Sequence, residues 1–377
     1  MNHIKDPQTD RASRLQALLR KKKQDAPGAS QTEKTSAAVP MAAPVVGELQ
    51  PVAAGIYGLR LPNFSVLDHV NVWLLRGNQG WIIVDTGAAR EPIRAIWKDL
   101  LSRLPDTSPI EAIVITHIHD DHFGNAGWLQ AETNAPVYMT PLEWGFVQNA
   151  RAWDLKKTEE LWYQYFALVG LDREAVRAAG LHRLDYLDAS PFPERVEPLL
   201  PDQVFEGPDR NWKVAIHPGH TAAHAMLLDS REELLVAADH GLKDYPIGLG
   251  PSPVDPHHDL LTGFQEALQV LQNAGDQTLI LPGHGTPWRG TKGFAAELTR
   301  RMMARQQSAL HFFDASCSIP AYQWCAPLIE RASSSHQQYL IYADAIGHLA
   351  HLVATDKLSR TFDDQGLAHY FIASDPK

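Results

Sequence analysis

Three histidines and two aspartates lie within six consecutive positions of this 377-residue chain, at His117-Ile118-His119-Asp120-Asp121-His122. The apolar run 112–115 precedes them and predicts a buried strand. In an extended segment, residues two apart point to the same side, so His117 and His119 are predicted to reach one ion together. Asp121 and His122 fall on the following turn and face the same space from another direction. Mixed imidazole and carboxylate ligands suit zinc, manganese, iron or cobalt.

Four other short apolar runs also end in a histidine or an aspartate. Asp85 follows the run 81–84, His220 follows 214–216, Asp239 follows 234–238, and His284 follows 278–281. Strand ends are where an α/β sheet presents functional side chains. Five strand ends that all carry such residues are more than chance accounts for.

This ordered set of residues resembles the metallo-β-lactamase superfamily, and the resemblance extends from Gly47 to Gly290. It implies an α/β fold of four layers, an αββα sandwich, with two metal ions at one edge between two sheets. It implies a first ion held by His117, His119 and His220, a second held by Asp121, His122 and His284, Asp239 as the bridging ligand, and Asp85 orienting a ligand histidine.

His224 follows the implied ligand His220 by four residues. If a helix begins near Thr221, His224 lies about one turn further on and reaches the edge of the cleft. We expect it instead to pack or form a hydrogen bond behind the metal ligands. His240 and the pair His257-His258 exceed what two ions require and are left out of the ligand set.

The composition is that of a globular enzyme, with 44% hydrophobic and 21% charged residues in a chain longer than one typical domain. No apolar run approaches the length of a membrane span. The start, Met1-Asn2-His3-Ile4-Lys5, lacks the pattern of a secretory signal. We therefore expect a cytoplasmic protein. Cys317 and Cys325 suit a reducing compartment, a single bridge between them stays open, and neither is given a role.

Three further regions complete the expected organisation. Residues 1–45 contain the basic run Arg20-Lys21-Lys22-Lys23 and are rich in Ala, Ser, Thr and Pro, which predicts a disordered arm; a short amphipathic helix is the alternative. The catalytic domain is predicted over 46–295. Within it, residues 141–200 form a helical, aromatic-rich insertion over the cleft, whose aromatics mostly make its own core.

Residues 296–377 predict three helices followed by a β-hairpin around Asp363-Asp364-Gln365-Gly366, the pattern of a winged helix. A catalytic domain with this tail resembles the β-lactamase-like-protein-two branch, a glyoxalase-II-like group. Few basic residues lie near the presumed recognition helix, and the chain has a formal net charge of -10. DNA binding needs a clustered basic surface. We therefore expect no nucleic-acid partner. The C-terminal module is expected to pack on the catalytic domain or to form a homodimer, and to help close the active site.

The resemblance implies a binuclear hydrolase that uses a metal-bound hydroxide on a small acyl substrate, with a thioester, ester or lactone as the leading class. The ions are expected to be zinc, with manganese or iron as alternatives. Asp239 would hold the ion pair, and Asp121 or a bound water would return a proton to the leaving group. Two alternatives stay open: a phosphodiesterase or ribonuclease with the same two ions, and a single-iron sulfur dioxygenase. His119 argues against an oxygen-reducing di-iron enzyme, in which a carboxylate takes that place.

Overall fold

A computed structural model of the protein describes residues 45–63, 67–104, 109–183, 189, 191–313 and 318–373. Its first sheet has seven strands in sequence order: β1 (Leu49–Ala53), β2 (Ile56–Pro62), β3 (His69–Arg76), β4 (Trp81–Val84), β5 (Ile110–Val114), β6 (Val137–Met139) and β7 (Val196–Pro198). Strands β1 to β4 are antiparallel, and β4 to β7 are parallel. Residues 77–80 join β3 to β4 as a hairpin turn.

The second sheet has five strands in the order β12-β11-β10-β9-β8. These are β8 (Val204–Phe205), β9 (Trp212–His217), β10 (His224–Asp229), β11 (Leu234–Ala238) and β12 (Leu279–Pro282). Only the β11 and β12 pair is parallel, and the other pairs are antiparallel. A short 3-10 helix, Asp239–Gly241, follows β11 directly.

Ten α-helices surround the sheets in the described part of the chain. They are α1 (Glu91–Arg103), α2 (Asp120–Phe123), α3 (Ala126–Thr133), α4 (Pro141–Ala150), α5 (Leu155–Ala167), α6 (Arg173–Ala178), α7 (Leu260–Ala274), α8 (Thr291–Phe312), α9 (Tyr322–Ile329) and α10 (Ser335–Ala354). None of them is both long enough and apolar enough to cross a bilayer.

Three hydrophobic clusters define four layers. Alternate residues of both sheets, including Trp73 and Leu75 of β3 and Leu234 and Val236 of β11, pack into a core between the sheets. The other face of the first sheet packs against α1, α3 and α4. The other face of the second sheet packs against α7 and α8. Both sheets are therefore covered on two faces, which explains why their strands read as short continuous apolar runs, and the predicted αββα sandwich is confirmed.

The helical insertion and the C-terminal segment share a fourth core. Aromatic residues of α5, among them Trp162 and Phe166, pack with Tyr342 and Ile346 of α10 and with Tyr370 of the terminal hairpin. That hairpin consists of β13 (Leu358–Phe362) and β14 (Ala368–Ile372) and forms a separate sheet. The predicted three helices and hairpin are present. The aromatic residues of the insertion pack against the C-terminal helices, whereas the sequence predicted that most of them would form the insertion's own core.

The boundary expected at residue 295 falls inside α8, whose Ala295 and Met302 pack on the second sheet and whose Ala309 packs in the shared fourth core. A single 22-residue helix thus spans both regions. The N-terminal arm, up to residue 44, and Cys317 lie outside the described residues. Cys325 is buried in α9, and burial raises the pKa of its thiol to about 12, which makes it an unreactive core residue.

Candidate functional site

Four of the predicted ligands form one compact group of donor atoms: His117, His119, His220 and Asp239. His119 presents Nδ1, which lies 3.0 Å from His117 Nε2 and 2.9 Å from His220 Nε2. His220 Nε2 lies 3.3 Å from Asp239 Oδ2. The loop after β5 supplies two of these residues, and the loops after β9 and β11 supply the other two. Residues far apart in the sequence therefore converge at one edge of the sandwich.

Asp121, His122 and His284 form a second group. His284 Nε2 lies 3.4 Å from Asp121 Oδ2, and His122 Nε2 lies 3.9 Å from Asp121 Oδ1. The first two positions of the short helix α2 are acidic and its third is His122, so the turn after the β5 loop directs Asp121 and His122 toward the end of β12, where His284 lies. The structure thus brings together every ligand that the resemblance implied.

Asp239 lies between the two groups. Its Oδ2 is 3.3 Å from His220 Nε2 and 3.6 Å from His284 Nε2, and its Oδ1 is 3.4 Å from His122 Nε2. Gly283 allows this approach, because a Cβ atom there would stand 2.0 Å from Asp239 Oδ1. One carboxylate therefore faces nitrogen donors of both groups.

The donor geometry fits metal ions. Zinc binds imidazole nitrogen at about 2.0–2.1 Å, so neighbouring donors on a tetrahedron are separated by about 3.3 Å. Three separations within the first group, His119 to His117, His119 to His220 and His220 to Asp239, are 2.9 to 3.3 Å and lie near this value. His122 Nε2 and Asp239 Oδ1 are also buried without a hydrogen-bond partner among the described residues. Two such orphaned atoms aimed at the same space are a strong indication of a cation site.

Hydrogen bonds behind the ligands orient their rings. Asp85 accepts from His122 Nδ1 at 2.8 Å and from the Thr116 backbone N–H, also at 2.8 Å. His220 Nδ1 donates to the carbonyl of Gly248 at 2.9 Å. The bonds of His122 and His220 each fix one ring nitrogen and leave the other free for a metal. The orienting role expected for Asp85 thus matches its contact with His122.

A polar network that sequence analysis missed supports the His284 loop. His284 Nδ1 donates to the backbone carbonyl of His69 at 2.5 Å, and the Gly285 N–H donates to His69 Nε2 at 2.7 Å. Asn71 and Arg60 donate to backbone carbonyls of the same loop. His69 and Asn71 lie on the same face of β3 as Trp73 and Leu75, which pack in the core between the sheets. Polar residues at two alternate positions of an otherwise apolar strand were the available sequence signal.

Glu143, on α4, was also missed. Its carboxylate is fully buried and accepts from the Ile118 N–H at 2.7 Å and from the Ala223 N–H at 2.9 Å. It therefore ties the loop that carries His117 and His119 to the loop that carries His220. Burial raises the pKa of Glu143, while these backbone hydrogen bonds favour its charged form. The sequence offered no signal beyond an acidic residue on an otherwise apolar helix face.

The helix considered near Thr221 does not form, and His224 is instead the first residue of β10, opposite His217 of β9. Its ring stacks on His117 at a centroid distance of 4.9 Å and on His240 at 3.9 Å. The apolar run Ala225–Leu228 pairs with β9, which explains why strand pairing wins over a helix here. His224 therefore packs behind the first group.

The two groups differ in charge. Burial lowers the pKa of His117 and His119, to about 3 for His119, and neighbouring imidazoles add to this effect. Burial also disfavours the charged form of His122, but Asp239, Asp121 and Asp85 outweigh it and raise the pKa of His122 to about 10. Asp239 likewise helps raise the pKa of His284. The imidazoles of His117 and His119 are thus neutral and ready for a cation, whereas His122 and His284 hold protons that a cation must displace.

Comparison with known proteins identifies the family. The sequence model of the Metallo-beta-lactamase superfamily matches residues 66–284, which contain all eight residues of the motif set. The chain is 24% identical over 310 residues to "Probable metallo-hydrolase YqjP" of Bacillus subtilis (strain 168), covering 81% of this chain and 94% of that protein. The match therefore extends beyond the catalytic fold into the C-terminal segment.

Solved structures agree. A Beta-lactamase domain protein from Burkholderia ambifaria superposes with a TM-score of 0.73 at 27% identity, over 88% of this chain and 97% of that chain. A metallo-beta-lactamase family protein from Thermus thermophilus superposes with a TM-score of 0.67 at 23% identity, over 85% and 99% of the two chains, and shares the fold. The chain therefore belongs to the metallo-beta-lactamase superfamily and is a metal-dependent hydrolase.

Proposed function

We propose that this protein is a binuclear hydrolase that cleaves a thioester, ester or lactone of a small acyl substrate. The observation that carries the proposal is the position of Asp239, whose two carboxylate oxygens face nitrogen donors of two adjacent ligand groups. A carboxylate in this position is suited to bridging two cations. His117, His119 and His220 would hold the first ion, and Asp121, His122 and His284 the second.

Two divalent ions in these groups, zinc before manganese or iron, would acidify a shared water and polarise the carbonyl under attack. The chain's own residues set up that chemistry. Asp239 holds the two ligand groups at a fixed spacing, and Asp85 fixes the ring of His122. Asn63 donates to Asp121 Oδ2 at 2.7 Å, which holds the Asp121 carboxylate at the mouth of the site. Asp121 is the group placed to carry a proton to the leaving group.

The C-terminal segment supports a small substrate. Ser335, the first residue of α10, donates to the Ala179 carbonyl of the insertion at 2.7 Å. Burial lowers the pKa of the next residue, His336, and the Asp121 carboxylate opposes that effect. We infer that the insertion and the C-terminal segment together narrow the cleft. The winged-helix arrangement, the domain boundary at 295 and the glyoxalase-II-like branch belong to this proposal.

Three further expectations belong to the same proposal. The acidic chain, with a net charge of -10, is unsuited to binding nucleic acid, so a titration with duplex DNA should show no tight, salt-sensitive complex. We place the protein in the cytoplasm. We also expect a homodimer, for which the mass in solution by light scattering is the direct check.

The test combines metal analysis with a substrate panel. Protein purified without added metal is assayed for metal per chain, and initial rates are measured on thioester, lactone, ester and phosphodiester substrates. Two zinc equivalents with acyl turnover support the proposal. Turnover of phosphodiesters alone would replace it with a phosphodiesterase, and one iron without hydrolysis would replace it with sulfur oxidation.

A further inference from the structure

We propose that Arg60, Asn71 and His69 form an inter-sheet clamp that sets the affinity of the second metal ion by holding the loop of His284. This inference rests on the proposed two-metal function. The three residues lie on β2 and β3 of the first sheet, whereas His284 follows β12 of the second sheet. The clamp therefore connects the two sheets at the edge where the ligands meet.

Asn71 provides the centre of the clamp. Its backbone N–H donates to the carbonyl of Gly283 at 2.7 Å, and its side-chain amide donates to the carbonyls of Pro282 and Gly285, both at 3.1 Å. Asn71 is almost fully buried. One residue thus binds three carbonyls around His284, and these carbonyls need no water to satisfy them.

Arg60 stands opposite Asn71 in the antiparallel register of β2 and β3. Its Nε donates to Asn71 Oδ1 at 3.2 Å, and its Nη2 donates to the Gly285 carbonyl. The planar guanidinium therefore fixes both the amide of Asn71 and the far end of the loop. A buried arginine has strict geometric requirements, so this contact defines where the loop lies.

His69 holds the loop from the other side. Its Nδ1 lies 2.6 Å from Asp68 Oδ1, which places the proton on Nδ1 and leaves Nε2 to accept from the Gly285 N–H at 2.7 Å. Its backbone carbonyl accepts from His284 Nδ1 at 2.5 Å. The imidazole of His284 is thereby turned so that Nε2 faces Asp121 and Asp239.

The clamp acts on the second ligand group. Among the described residues, its side chains hydrogen-bond to the loop 282–285, whereas Glu143 ties together the loops after β5 and β9. His284 belongs to the second group, and the four members of the first group come from other loops. Loosening the clamp should therefore weaken the second ion and spare the first.

The experiment measures two zinc dissociation constants by competition with a chromophoric chelator in the wild type, Asn71→Ala and Arg60→Lys. Arg60→Lys keeps the charge and loses the planar fork, so it is the milder change. The control is Arg210→Lys, because Arg210 is an equally buried arginine and pairs with Asp229 at 2.6 Å. Asp229 ends β10, about 16 Å along the strand from the ligand edge. Thermal unfolding is recorded for each protein.

We expect both clamp variants to bind the second zinc roughly 10- to 100-fold more weakly, with the first zinc unchanged, as for other residues that orient a metal ligand. Arg210→Lys should bind both ions as the wild type does. Equal weakening of both ions, wild-type affinity in both clamp variants, or the same loss in Arg210→Lys would overturn the clamp. A wild type that takes up fewer than two zinc ions would instead overturn the two-metal proposal, and the clamp's role with it.

Discussion

His122 Nε2 lies 3.4 Å from Asp239 Oδ1, and neither atom has a hydrogen-bond partner among the described residues. The two atoms belong to different ligand groups, so the groups meet at this pair. An imidazole whose other nitrogen is fixed by Asp85 cannot turn away from the carboxylate without losing that bond. The spacing between the groups is therefore built into the fold.

Asp239→Ala should lower the metal content of the purified protein and abolish turnover, because it removes the carboxylate that faces both groups. Metal per chain and initial rates are the measurements. Asp202→Ala is the control, since Asp202 is exposed and pairs with Lys213 on the surface, where ion pairs contribute little. Normal activity of Asp239→Ala would exclude the bridging role.

Gly283→Ala should reduce metal content although it changes no ligand. The added methyl group would lie 2.0 Å from Asp239 Oδ1 and 2.8 Å from His122 Cε1, so the carboxylate or the loop must move. The matched control is Gly293→Ala in α8, where nothing lies within 4 Å of the added Cβ and alanine should stabilise the helix by about 1 kcal/mol. Wild-type metal content in Gly283→Ala would mean that the site tolerates a shifted Asp239.

Glu143→Ala should weaken the first zinc and leave the second less affected. The change leaves the Ile118 and Ala223 N–H groups buried without an acceptor, at a cost of about 1–3 kcal/mol each. The loops of His117 and His220 would then separate. Chelator competition resolves the two ions, and Glu132→Ala, at an exposed position of α3, serves as the control. Loss of the second ion first would contradict this role of Glu143.

Zinc uptake by the second group should release protons at neutral pH, because the pKa of His122 in the metal-free protein is raised from 6.5 to about 10. Burial opposes this rise, and the three neighbouring aspartates outweigh it. A raised pKa stabilises the metal-free fold fully below 6.5, and that contribution is lost as pH rises toward 10. Calorimetry in buffers of different ionisation enthalpy counts the protons. Binding without proton release would contradict the charged state of His122.

Acid should loosen the connection between α7 and α10 through Asp259. This N-cap carboxylate of α7 lies 3.1 Å from His351 Nδ1 of α10. Burial raises its pKa, but hydrogen bonds from His351 and Thr262 dominate and lower it from 3.8 to about 2. A lowered pKa contributes stability above 3.8 that is lost as pH falls toward 2, by about 2 kcal/mol at most.

Asp259→Asn keeps an N-cap residue and removes the charge. We expect its free energy of unfolding in urea to vary less with pH over this acid interval than that of the wild type. Asp154→Asn is the matched control, because Asp154 caps α5 and its side chain accepts a hydrogen bond from the Lys157 N–H, a backbone donor that does not titrate. An unchanged acid dependence in Asp259→Asn would show that Asp259 does not mediate it.

The sequence by itself predicted the sandwich, through its resemblance to a known superfamily, and the candidate ligands. Strands buried on both faces appear in the sequence as short apolar runs, and functional side chains follow the ends of such strands. His117, Asp239 and His284 could therefore be recognised as candidate ligands from the local pattern. Spacing of two along an extended segment also predicted that His117 and His119 act together, and both lie in one group.

Only the tertiary structure decided what holds those ligands in place. Glu143 and Asn71 make their contacts with backbone groups from loops 80 and more than 200 residues away, and a backbone donor or acceptor leaves no signature in the sequence. His224 became the first residue of a strand because β9 was there to pair with it. The aromatic residues of the insertion likewise pack on α10 because the fold places that helix against them. Local pattern specifies which side chains carry the chemistry, whereas their support depends on which distant segments the fold brings against them.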